Sequence, residues 1–185
     1  MFRYFLTTAL LLSFSLIQAQ PLITLGTGFD ISVNKAQIKA FEISWYFNKS
    51  ASTSLLIAYD TNSDGRFSGK EKVELIAMLK QFEPQDYFLH LKAETLKIKP
   101  ESITAIRVNV FDSLVSMQFG VSLAEPVNLQ TTGLSLAFIP SERVAIDQSS
   151  MKFQINGMLA KNCSVKTLEN PPVDSHNWQQ VFCSR

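Results

Sequence analysis

Along most of the chain apolar and polar residues alternate with a period of two, as in strands that turn one face to a core. Phe29 to Phe47 alternates in two runs around Asn34-Lys35. In the second run Phe41, Ile43, Trp45 and Phe47 share one face, against Glu42, Ser44 and Tyr46 on the other, which predicts a β-hairpin. The period changes between Ser50 and Tyr59, where Leu55, Leu56 and Tyr59 fit a short helical stripe. It is helical again over Gly69–Phe82, with Val73, Ile76, Ala77, Leu79 and Lys80 outlining a face that stops before Pro84. Alternation then returns over Tyr87–Ile98 and breaks at Pro100-Glu101. Ile106, Val108 and Val110 lead through a turn at Asp112-Ser113 into Val115, Met117, Phe119, Val121 and Leu123, the clearest hairpin of the chain. Shorter strands are expected at Leu134–Ile139, Met151–Ile155 and Ser164–Leu168. The sum predicts an α+β fold: a mostly antiparallel β domain, sandwich or curved sheet, with one helix–loop–helix inserted at about residues 50–82.

The first nineteen residues follow a different logic. Arg3 precedes a thirteen-residue apolar run, Phe5–Ile17, which ends at Gln18-Ala19. A basic start, an apolar core and a small residue at the cleavage position describe an export signal. A spanning helix needs ~20 apolar residues, more than this run supplies. No later stretch is longer, so the processed chain, a single domain over 20–185, is not expected to be an integral membrane protein. The expected location is periplasmic or secreted. An oxidising compartment favours a bridge between Cys163 and Cys183 over two thiols, although spacing alone leaves both arrangements open.

Charge excludes one class of partner. Lys and Arg number 17 against 16 Asp and Glu, and loss of Arg3 with the signal leaves 16 against 16. A nucleic-acid binder needs a basic face, which this balance does not provide. With 46% hydrophobic and 18% charged residues the chain is far from disorder-prone. Two histidines and two cysteines do not make a zinc centre by spacing, and no Gly-x-Ser-x-Gly elbow or Cys/His nucleophile pattern occurs. His90 and His176 are read as surface or hydrogen-bonded residues. The expectation is a non-enzymatic protein.

One stretch carries chemistry. Asp60-Thr61-Asn62-Ser63-Asp64-Gly65-Arg66-Phe67-Ser68-Gly69-Lys70-Glu71 fits the twelve-residue EF-hand loop pattern. Ca²⁺ takes six to eight oxygens at ~2.4 Å. Asp60, Asn62 and Asp64 offer side-chain oxygens at loop positions one, three and five, Arg66 its carbonyl, Ser68 a water-bridged hydroxyl, and Glu71 a bidentate carboxylate. Gly65 permits the sharp turn at position six, and Phe67 is the apolar anchor at position eight. A metal-free account also exists: Asp-Gly is a common turn, and Ser68-x-x-Glu71 is a capping box that starts a helix unaided. It leaves the alternate spacing of Asp60, Asn62 and Asp64 without a role. The loop therefore predicts Ca²⁺ as cofactor, held for structure, since no second loop is present to form a sensor pair.

Trp45-Tyr46-Phe47, this loop, Tyr87-Phe88 and the Met117–Leu123 strand leading to Glu125-Pro126 occur in that order. The chain thereby resembles the exported bacterial family known as domain of unknown function 1007. The resemblance implies a periplasmic protein, an accessory of divalent-cation transport with a membrane transport component or another exported protein as partner. Relatives commonly open the mature chain with His-Pro-His, whereas this one has Pro21-Leu22-Ile23-Thr24. Their aromatic Asp-Pro-x-Tyr-Tyr segment is replaced here by Phe138-Ile139-Pro140-Ser141-Glu142-Arg143. Only the calcium-type loop carries over residue by residue. A periplasmic carrier of a transition metal or small ligand, and a hydrolase with structural calcium, are the alternative functions.

Overall fold

The computed structural model describes residues 23–168 and 178–184. The expected signal segment lies outside them, as does His176. Strands β1 (Ile23–Ser32) and β2 (Gln37–Phe47) form the first hairpin, with Phe29 opposite Ile43 and Thr27 opposite Trp45. Helices α1 (Lys49–Tyr59) and α2 (Gly69–Leu79) follow, and 3₁₀ turns carry the chain from Lys80 to Phe88. Then come β3 (Leu89–Ala93), β4 (Leu96–Ile98), β5 (Pro100–Phe111) and β6 (Leu114–Asn128). The remaining strands are β7 (Leu134–Phe138), β8 (Val144–Asn156), β9 (Cys163–Thr167) and β10 (Gln179–Cys183). One five-stranded sheet runs β5-β6-β2-β1-β8 and the other β4-β3-β7-β10-β9. The α+β class with mainly antiparallel strands is the observed one.

The alternating residues do what their period demands. Phe41, Ile43, Trp45 and Phe47 are buried, as are Val115, Met117, Phe119, Val121 and Leu123 on β6. They join Leu134, Leu136 and Phe138 of the second sheet in a continuous core, and Phe29 on β1 meets Phe138 on β7 at 4.9 Å between ring centroids. Trp45 is the hub. Its ring lies 4.8 Å from Phe119 and 5.9 Å from each of Phe82, Tyr87 and Phe88. Burying a ring of this size contributes on the order of 3 kcal/mol.

Four expectations change. The run Tyr87–Ile98 is not one strand: Asp86, Tyr87 and Phe88 have φ of 47°, 51° and 63°, a left-handed turn costing ~1–2 kcal/mol per residue. That turn places two successive aromatics against Trp45, which offsets its strain. Helix α2 ends at Leu79 instead of Phe82 and is rotated from its predicted phase: Leu79 faces inward as expected, but Glu71 and Leu75 do so too, while Val73 is 66% exposed. The strand around Met151–Ile155 extends over Val144–Asn156 and pairs with β1 in parallel, a pairing no local pattern encodes. Strand β10 was outside the predicted set, and it brings Cys183 opposite Cys163, where the disulfide forms.

Candidate functional site

The loop joining α1 to α2 is mounted on the core at both ends. Asn48 caps α1 by accepting the Ala51 amide at 2.8 Å, the usual work of an asparagine at that position. Ser52, one turn on and fully buried, donates to the Phe47 carbonyl (3.2 Å) and accepts the Val115 amide (2.9 Å), pinning α1 to β2 and β6. On the far side, Ser68 and Glu71 form the reciprocal capping pair at the start of α2. Phe67 enters the core as the anchor between them.

Within the loop, each predicted side chain folds back on backbone amides. The Asp60 carboxylate accepts the Asp64 amide (3.1 Å) and the Gly65 amide (2.9 Å). Asn62 Oδ1 accepts the Asp64 amide at 2.9 Å, and Asp64 Oδ1 accepts the Arg66 amide at 2.9 Å. Asn62 Nδ2 also donates to Asp64 Oδ2 at 3.2 Å. Gly65 has φ of 76°, the left-handed conformation for which position six requires glycine. Nothing lies near enough to block a side chain there, so backbone conformation alone selects the residue.

Glu71 closes the loop. Although acidic, it is only 6% exposed. Its Oε1 accepts the amides of Thr61 (3.0 Å) and Asn62 (3.2 Å) and the Thr61 hydroxyl (2.9 Å), and Oε2 accepts the Ser68 amide (3.2 Å). The Ser68 amide, then the Thr61 hydroxyl, hold the carboxyl below its ordinary range, while burial acts in the opposite sense. It is therefore ionised, and it fastens the twelfth loop position to the second and third.

The donor set has the chemistry of a hard-cation site: carboxylate, amide and hydroxyl oxygens, with no sulfur or imidazole. The Asp60, Asn62 and Asp64 oxygens each accept a hydrogen bond through one lone pair and retain another. Glu71 Oε1 is different, because three donors already surround it. Among the described residues no group of three or more His, Cys, Asp or Glu side chains is gathered to hold a metal ion. Coordination by Glu71 requires it to exchange amide donors for the ion. The structure thus holds Asp60, Asn62, Asp64, Arg66, Ser68 and Glu71 in one short loop, with the side-chain oxygens of Asp60, Asn62, Asp64 and Glu71 turned to amides. The role of Thr61 was not expected; its hydroxyl at position two gave no pattern signal.

Two five-stranded sheets over a shared core, with a helical pair inserted after β2 and closed by a buried glutamate, define a mainly β protein of the α+β class. The chain belongs to the family described as a protein of unknown function (DUF1007), whose model matches residues 5–181. No curated protein matches it.

Proposed function

We propose that the protein is an exported, non-enzymatic calcium-binding protein in which an ion held by the 60–71 loop fastens α1 to α2. The observation that carries this reading is the buried Glu71 carboxylate, drawn from the first turn of α2 to the amides of Thr61 and Asn62. It brings the closing carboxylate of the pattern to the residues that open it. Asp60, Asn62 and Asp64 would supply side-chain oxygens, Arg66 its carbonyl, Ser68 a water-bridged hydroxyl, and Glu71 both oxygens. A bidentate glutamate suits Ca²⁺ better than Mg²⁺, which requires near-octahedral geometry. Because Glu71 gives up hydrogen bonds on binding, the affinity falls in the weaker range, ~10⁻⁵–10⁻³ M, sufficient outside the cytosol.

Export is supported by the order of basic, apolar and small residues before Gln20 and by the Cys163–Cys183 bridge. No described helix is long and apolar enough to cross a membrane. A place beside a divalent-cation transport system rests on the family resemblance alone.

The four hydrogen bonds to Glu71 favour a second reading, in which the carboxylate closes the loop with no ion. Thermal unfolding of the processed protein in Ca²⁺, in Mg²⁺ and in chelator separates the two. At free Ca²⁺ a hundred times Kd, binding to the folded state adds about 2.7 kcal/mol, equivalent to roughly 5–10 °C in Tm for a domain of this size. A Tm equal in all three solutions would leave only the metal-free reading.

A further inference from the structure

The β4-β3-β7-β10-β9 sheet buries a positive charge on the face turned away from the core. Leu89, Leu91, Leu134, Leu136 and Val181 point into the core, so alternation turns Lys92 of β3 and Ser135 of β7 the other way. These two stand directly opposite each other in the register, and Lys97 of β4 faces Lys92 from the other side. None of the five strands of this sheet contains an Asp or Glu. Lys92 is nevertheless only 7% exposed. A lysine is almost never buried so far unless it is paired, and the ion pairs among the described residues, Lys70–Glu74 and Arg107–Glu42, do not include it. Its ammonium rests on the Trp178 ring, 3.9 Å from the centroid.

Two further groups beside it are unsatisfied. Ser135 and Trp178 are each 1% exposed, and neither the Ser135 hydroxyl nor the Trp178 indole nitrogen has a hydrogen-bond partner. A buried polar group left in that state costs ~1–3 kcal/mol. An ammonium and an indole N–H only donate, so neither can serve the other. The ring face attracts the ammonium, but it leaves the N–H at the ring edge unmet. What completes the three groups must accept hydrogen bonds.

Charge and size then choose the ligand. A water accepts hydrogen bonds but brings no counter-charge to a buried ammonium. A carboxylate or phosphate brings the charge on a larger frame, for which residues 1% exposed leave no opening. A monovalent anion of a single atom meets both conditions.

We propose that Lys92, Ser135 and Trp178 hold a chloride ion, with the ammonium as counter-charge and the hydroxyl and indole N–H as donors. The ion fastens β3 to β7 and to the start of β10. The site shares no residue with the 60–71 loop and does not depend on it.

Thermal unfolding of the processed protein in chelator, at fixed ionic strength, tests this, with sodium gluconate replaced stepwise by sodium chloride, bromide or acetate. A saturable rise in Tm is expected with chloride and bromide, roughly 3–6 °C at ten times Kd, and none with acetate. Lys92→Met should abolish the halide response and Ser135→Ala should weaken it, whereas Glu71→Gln should keep it. The response is the reading, not the Tm of Lys92→Met itself, since removal of a buried unpaired charge can stabilise. Crystals grown in bromide should show an anomalous peak beside Lys92, Ser135 and Trp178. A Tm indifferent to halide would leave the three groups to water, and an equal rise in acetate would mark a carboxylate site. Either result, a halide response undiminished in Lys92→Met, or the absence of the bromide peak would overturn the proposal.

Discussion

Replacing Ser52 with alanine tests how the helical pair is held on the sheets. The hydroxyl donates to the Phe47 carbonyl at 3.2 Å and accepts the Val115 amide at 2.9 Å, and the residue is 0% exposed. Alanine fits the space, so no cavity or overpacking term enters. The loss is hydrogen bonding alone. The Val115 amide becomes a buried donor without a partner, which costs ~1–3 kcal/mol; the Phe47 carbonyl tolerates its own loss better. At 2–4 °C per kcal/mol for a domain of this size, Tm should fall by roughly 2–12 °C. Ser54→Ala is the control: its hydroxyl also donates to a carbonyl, Ser50 at 3.1 Å, but in an exposed position on the same helix. That change should cost no more than about 0.5 kcal/mol. Urea denaturation should show the Ser52→Ala midpoint lowered with the slope unchanged. Equal midpoints for the two variants would refute the claim that Ser52 pins α1 to β6.

Three further outcomes follow from the same geometry. Leu75→Ala, at a fully buried position of α2, should cost ~2–5 kcal/mol, whereas Val73→Ala, 66% exposed, should stay within about 0.5 kcal/mol; chemical denaturation of both checks the phase of the helix. Replacing Cys163 and Cys183 by serine opens a closure of 20 residues and should cost ~3 kcal/mol, read as a lower denaturation midpoint than the oxidised protein. In chelator, the stability difference between the wild type and Glu71→Gln should depend on pH. Because the folded carboxyl is held below its ordinary 4.5, its contribution is complete above that value and is lost as pH falls through the depressed one. Asp147, held low chiefly by the Ser149 hydroxyl, contributes equally to both proteins. Tm measured from pH 7 to pH 3 should therefore show the gap narrowing in acid, not in base.

How far the sequence reaches depends on the range of each interaction. The hairpin faces of β2 and β6 are legible because a period of two is a local property, and Trp45 or Phe119 points to the core whatever strand lies beside it. The loop is legible because its residues act within twelve positions. Parallel pairing of β1 with β8 is not, since it is decided by which edge remains free once the sheet assembles. The phase of α2 was misread for a definite reason. Glu71 counts as polar in any hydropathy pattern, yet four donors from the loop draw it inward, and Leu75 and Leu79 follow it while Val73 turns to solvent. The left-handed turn at Asp86–Phe88 has no glycine to announce it; burial of Tyr87 and Phe88 against Trp45 imposes it.

Isothermal titration of Ca²⁺ into the processed protein, beside Glu71→Gln, bears most directly on the proposed function. One site per chain with Kd in the ~10⁻⁵–10⁻³ M range, weakened at least tenfold by the substitution, is the predicted result. A titration indistinguishable from dilution in the wild type, with the wild type unfolding at the same temperature in Ca²⁺ and in chelator, would contradict it and leave the loop as a capped turn closed by its own glutamate.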